Sequence, residues 1–137
     1  MDRMDETRPV IDPDDGTVLA IRTIAMPGDT NPAGDIFGGW LMSQMDLAAG
    51  NMAGRVAKGR AATVSVDAMT FHRPVKVGDE VTLFARLMHR GRTSMRIHVE
   101  AWARDRHGDS AHQVTAADFT FVALDASGAK RPLPPAD

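Results

Sequence analysis

No cysteine occurs among the 137 residues, which removes disulfide stapling, thiolate metal sites and a cysteine nucleophile together. Any nucleophile must be water, oxygen or nitrogen. There is no run of about 18 apolar residues to span a bilayer and no secretory-type apolar stretch after Met1. The expected location is therefore the cytoplasm, without a membrane partner. A strong charge of one sign is lacking too, since the net charge is −2. Residues Met1 to Gly16 hold six acids (Asp2, Asp5, Glu6, Asp12, Asp14, Asp15) against Arg3 and Arg8. Of the 16 basic and 18 acidic side chains, 14 and 12 remain for the rest. That mild positive excess suits a small anionic ligand better than a nucleic acid.

What is present is an ordinary globular composition, 43% hydrophobic and 25% charged, enough to bury one core at this length. Residues 1–16, acidic and with Pro9 and Pro13, read as a flexible leader. Residues 127–137, with Pro132, Pro134 and Pro135, read as a flexible tail. The folded domain is expected over 17–126. Val18 to Ala25 alternates like a strand and is ended by Met26-Pro27-Gly28-Asp29. From Gly38 the period changes: Leu41, Met45, Ala48, Ala49, Met52, Ala53 and Val56 share one face of a helix about five turns long. Lys58-Gly59-Arg60 supplies a basic last turn and a glycine stop.

Ala62 to Phe71, Glu80 to His89, Thr93 to Arg104 and Ala111 to Leu124 all read as strands, the middle pair with one apolar and one mixed face. The glycine-bearing links Arg90-Gly91-Arg92 and Arg106-His107-Gly108-Asp109 are too short for parallel crossovers. One strand, a long helix and a four-stranded meander make an α+β arrangement, a single helix on an antiparallel sheet. The small residues Ala48, Ala49, Gly50, Ala53 and Gly54 let a curved sheet come close to the helix.

The run Thr30-Asn31-Pro32-Ala33-Gly34-Asp35-Ile36-Phe37-Gly38-Gly39-Trp40-Leu41-Met42 resembles the signature of the YciA-type acyl-CoA thioesterases. Met69-Thr70-Phe71 with Arg73-Pro74, Val77-Gly78-Asp79 and Gly91-Arg92-Thr93-Ser94 are similar to further segments of that family. The resemblance spans Val18 to Leu124. It implies the hotdog fold, in which the sheet wraps the long helix, and an acyl-CoA substrate. It also implies a homo-oligomer with active sites where two protomers meet, the dimer being the minimal active unit in a trimer of dimers.

Thioester hydrolysis needs a base or nucleophile, an oxyanion hole and a grip on the thiol half. Gly38 and Gly39 open the helix, so their amides are candidates for the oxyanion hole. Asp35 stands just before them; its carboxylate could activate water or attack the thioester itself. From the residue alone helix capping comes first, whereas the resemblance assigns catalysis. Asn31 is either a turn residue before Pro32 or a group that orients water or the carbonyl. Phe37 and Trp40 are acyl-pocket candidates that could equally be plain core. Arg60, Arg73, Arg92 and Ser94 are the candidates for the CoA phosphates, against the alternative of solvated surface charge.

His72 and Asp67 depart from the family pattern and are candidates for lining the cleft. The five histidines show no pair at metal-ligand spacing, and the nine methionines read as adaptable core, so neither a metal nor a cofactor is expected. Two other readings compete. The hotdog scaffold also serves in non-catalytic acyl-CoA sensors, though the leader is too short and acidic for the helix-turn-helix such regulators carry. A dehydratase or hydratase would need a histidine near the central helix, and none precedes His72.

Overall fold

The structure, a computed structural model, describes residues 15–136; the expected flexible leader therefore lies almost wholly outside the described residues. The elements are β1 (Val18–Ile24), a short 3-10 turn (Pro27–Asp29), α1 (Gly38–Ala57), β2 (Ala61–Asp67), β3 (Glu80–Arg90), β4 (Ser94–Arg104) and β5 (Ala111–Ala123). One antiparallel sheet runs in the order β1-β3-β4-β5-β2, and α1 packs against all five strands. This is the expected hotdog layering. Strand alternation decides which side meets the helix: Val81, Leu83, Met95, Ile97, Val99, Phe119 and Phe121 are buried with Leu41 and Met45 in one core. Each such side chain contributes about 1.5–3 kcal/mol by leaving water.

The helix approaches the sheet closely because its buried stripe is largely alanine. Ala48, Ala49, Ala53 and Ala57 have no exposed surface, and the Phe121 ring lies 3.6 Å from where a Cβ on Gly50 would stand. Met52 and Val56, expected on the same face, are only partly buried at its margin.

The expected meander holds for β3, β4 and β5 but not for β2, which pairs with β5 at the far edge of the sheet. The strand expected to reach Phe71 stops at Asp67 because Ala68 turns left-handed, with φ 45°. The chain then crosses over residues 68–79 from the β2 edge, past β5 and β4, to β3. At the helix end the left-handed residue is Lys58 (φ 52°) rather than Gly59. Gly59 is needed for another reason: a Cβ there would stand 2.7 Å from Nη2 of Arg131.

That arginine belongs to the segment expected to be a flexible tail. Its Nη2 donates to the carbonyl of Ala57 at 2.8 Å and its Nε to that of Leu124 at 2.9 Å. Leu133 packs on the core and donates its N–H to Arg92 O at 2.8 Å. The last helical carbonyls have no partner within the helix, so an arginine from the tail meets a real need.

Candidate active site

Local hydrogen bonding shapes the loop ahead of α1. Asn31 Oδ1 accepts from the N–H of Ala33 at 3.0 Å and of Asp35 at 3.1 Å, and the Asn31 N–H donates to Asp35 O at 2.7 Å. Gly34 sits inside this ring with φ 90°, a conformation that favours glycine. The turn reading of Asn31 is thus realised. Its Nδ2 group has no partner among the described residues. The N–H of Ile36 donates to Val75 O at 3.2 Å and that of Phe37 to Asp29 O at 3.1 Å, which ties the loop to the two segments beside it.

Asp35 does not cap the helix. The N-cap is Phe37, no side chain caps the first turn, and the Asp35 carboxylate is exposed with no partner among the described residues. The N–H groups of Gly38 and Gly39, which a helix cannot bond internally, meet no acceptor among the described residues either. Two phenylalanines lie over them. A Cβ on Gly38 would stand 3.3 Å from Cζ of Phe71, and one on Gly39 would stand 3.0 Å from Cε2 of Phe37. A side chain at Gly38 therefore fits only if the exposed Phe71 ring gives way by a few tenths of an ångström, and Gly39 leaves still less room beside Phe37.

A cavity of about 300 Å³ opens here. Ile36, Leu41, Val75 and Val114 form its apolar floor, Phe37 and Phe71 flank Gly38, and His72 and Arg73 stand on its wall. Of the residues singled out from sequence, Phe37, Gly38, His72 and Arg73 line it directly; Gly39 follows Gly38, and Asp35 precedes the lining residue Ile36. Trp40 instead packs half-buried against the core.

Arg60, Arg92 and Ser94 are not brought to this place within one chain. Arg60 follows the C-terminal end of α1, and its carbonyl accepts from Leu124 N–H at 2.9 Å. Arg92 and Ser94 form the β3–β4 turn at that same end, where the Gly91 N–H donates to Ser94 O at 2.8 Å. The 20-residue helix separates them from Asp35 by about 30 Å.

Asp67 does not line the cleft. It lies on the opposite face of the sheet and binds Arg96 at 2.8 Å; Arg96 also holds Asp118 at 3.1 Å. The row continues through His98, whose Nδ1 is 2.7 Å from Asp118 and whose Nε2 is 3.2 Å from Glu100. Glu100 first, and Asp118 with it, raise the His98 pKa above its ordinary value against the opposing effect of burial. Burial pushes Asp118 up, but the hydrogen bonds from His98 and Arg96 outweigh it and leave its pKa lowered. His72, the other departure, does reach the cavity.

Among known proteins, residues 33–109 match the family model of the thioesterase superfamily. An acyl-CoA thioester hydrolase, YciA, of Salmonella typhimurium is 50% identical over 119 residues, covering 85% of this chain and 90% of its own. The chain belongs to the thioesterase superfamily, in its YciA-type acyl-CoA thioester hydrolase group. An uncharacterized acyl-CoA thioester hydrolase of Zymomonas mobilis is 52% identical over 85% of this chain and 78% of its own. The hexameric thioesterase of Yersinia pestis superimposes with a TM-score of 0.84 at 48% identity, covering 89% of this chain and 98% of that one. No helix among the described residues is long and apolar enough to cross a membrane.

Proposed function

We propose that the protein hydrolyses acyl-CoA to free CoA and a carboxylic acid at the cavity beside the start of α1. One observation carries this: Asp35, an exposed carboxylate with no partner among the described residues, stands just ahead of a helix start whose first amides meet no acceptor among them, beside a cavity lined by Ile36, Phe37 and Gly38. The amides of Gly38 and Gly39 receive the carbonyl oxygen as it becomes an oxyanion. Asp35 takes a proton from water as the new C–O bond forms, or attacks the carbonyl itself to give a mixed anhydride that water then opens. In either route the C–S bond breaks and the CoA sulfur leaves as thiolate to be reprotonated. The Nδ2 of Asn31, without a partner among the described residues, is the group that orients the water or the carbonyl.

The working unit is a dimer, assembled further as a trimer of dimers. Strand β2 is an edge strand, with Val64 54% and Val66 38% exposed, so its outer edge offers unpaired backbone groups to a second copy. Antiparallel pairing of two such edges about a two-fold axis lays the helices antiparallel. Each Asp35 then faces the end of the partner that carries an Arg60, Arg92 and Ser94 set for the CoA phosphates, with the chain's own Arg73 already at the cavity. Thiol release from a panel of acyl-CoAs tests the activity. Asp35→Asn is expected to lower kcat by about 10²–10⁴-fold while leaving the urea midpoint in place. Wild-type turnover in a folded Asp35→Asn variant overturns the mechanism.

A further inference from the structure

The wall of the cavity facing the helix start is the segment 68–74, and it is held at both ends. It leaves β2 through the left-handed Ala68, immediately after Asp67, which Arg96 grips from the outer face at 2.8 Å. Further on, Thr115 of β5, with no exposed surface, donates its hydroxyl to the Thr70 carbonyl at 2.6 Å. The His72 N–H donates to Val114 O at 2.8 Å. Phe71 lies between those two bonds. Its ring is 44% exposed, so burial does not fix it; the bonds on either side hold its backbone and set the ring against Gly38, 3.3 Å from a would-be Cβ.

The geometry points to Phe71 as the side chain that sets which acyl groups reach the amides of α1, with Thr115 as the positioning residue that holds it there. This rests on the acyl-CoA reading of the site. Ile36, Leu41, Val75 and Val114 are locked in the core and cannot yield to a ligand, whereas the Phe71 ring is anchored only through its backbone. An apolar wall discriminates by shape: a single methylene changes kcat/KM by about 10–200-fold. A valine at 115 keeps the volume of threonine but leaves the Thr70 carbonyl without its donor, so the wall loosens without a cavity forming in the core.

The experiment measures kcat and KM for the oligomeric enzyme on short straight-chain, long straight-chain and branched acyl-CoAs, for wild type, Phe71→Ala, Phe71→Leu, Thr115→Val and Thr115→Ser. Phe71→Ala is expected to move the ratio of kcat/KM for bulky over short acyl groups upward by at least about tenfold, with Phe71→Leu between it and wild type. Thr115→Val moves the same ratio in the same direction, mainly through KM, and Thr115→Ser, which keeps the hydroxyl, restores it. A folded Thr115→Val with the wild-type ratio overturns the positioning role of Thr115, and should Thr115→Val fail to fold, the two Phe71 variants still decide the role of Phe71. An active wild type whose ratio is unmoved by Phe71→Ala overturns this assignment alone. A wild type that releases thiol from no acyl-CoA overturns the acyl-CoA reading and this assignment with it.

Discussion

Alanine in place of Gly38 separates stability from catalysis at the start of α1. The residue is the first of the helix and its φ is not left-handed, so alanine fits the backbone. Helix propensity then favours the variant by up to about 1 kcal/mol. Against that, the new methyl would stand 3.3 Å and 3.4 Å from Cζ and Cε2 of Phe71, inside the ~3.5–4.0 Å at which carbons rest comfortably. Because that ring is 44% exposed it can tilt by a few tenths of an ångström, so folding loses little. The substrate loses more, since the methyl projects into the cavity beside the amides assigned to the oxyanion. Expected results are a stability change between about −0.5 and +1 kcal/mol and a fall in kcat/KM of about 10–200-fold. Urea midpoints and thiol-release kinetics on one preparation measure both. Unchanged kcat/KM would show that this end of the helix is not where the thioester binds. A loss of activity matched by an equal loss of stability would refute the reasoning as well, by making the effect plain misfolding.

The outer-face row predicts a pH-dependent stability. A neutral imidazole has one N–H, so one of the two carboxylates beside His98 must then face a lone pair; the raised pKa means that its contribution is present below the unfolded value of about 6.5 and lost as pH rises through the folded value. The lowered pKa of Asp118 works the other way, its contribution being present above about 3.8 and lost as pH falls through the folded value. The margin of wild type over His98→Gln in thermal melts should therefore be larger near about pH 5.5 than near about pH 8.5, and a margin independent of pH would reject the pairing. At the C-terminal end, Arg131→Ala removes the donors to the Ala57 and Leu124 carbonyls and should cost about 1–3 kcal/mol in urea unfolding. An effect below about 0.5 kcal/mol would return the tail to the flexible state expected from its prolines.

Much of the local structure was legible in the sequence because it follows from periodicity. The stripe through Leu41, Met45, Ala48 and Ala53 meets the core as expected, and the alternation in β3 and β4 sorts Leu83 and Ile97 from Arg86 and His98. The prolines at 132, 134 and 135 suggested a loose tail because proline signals irregular backbone, and irregular backbone can still be docked. Lys58 took the left-handed position expected of Gly59, and the glycine stands instead where the Arg131 guanidinium passes close to the backbone.

By itself, then, the sequence determined most of the elements, the face that α1, β3 and β4 each bury and the turn at Asn31 to Gly34, all of which depend on residues within a few positions of one another. Only the tertiary structure decided that β2 joins the far edge of the sheet, that Phe71 lies over Gly38 under the hold of Thr115, and that Asp67 faces away from the cleft. It also decided that Arg60, Arg92 and Ser94 stand a helix length from Asp35. Those outcomes turn on the path of residues 68–79 across the sheet and on hydrogen bonds between positions up to 45 apart. Periodicity carries no record of such long-range closure.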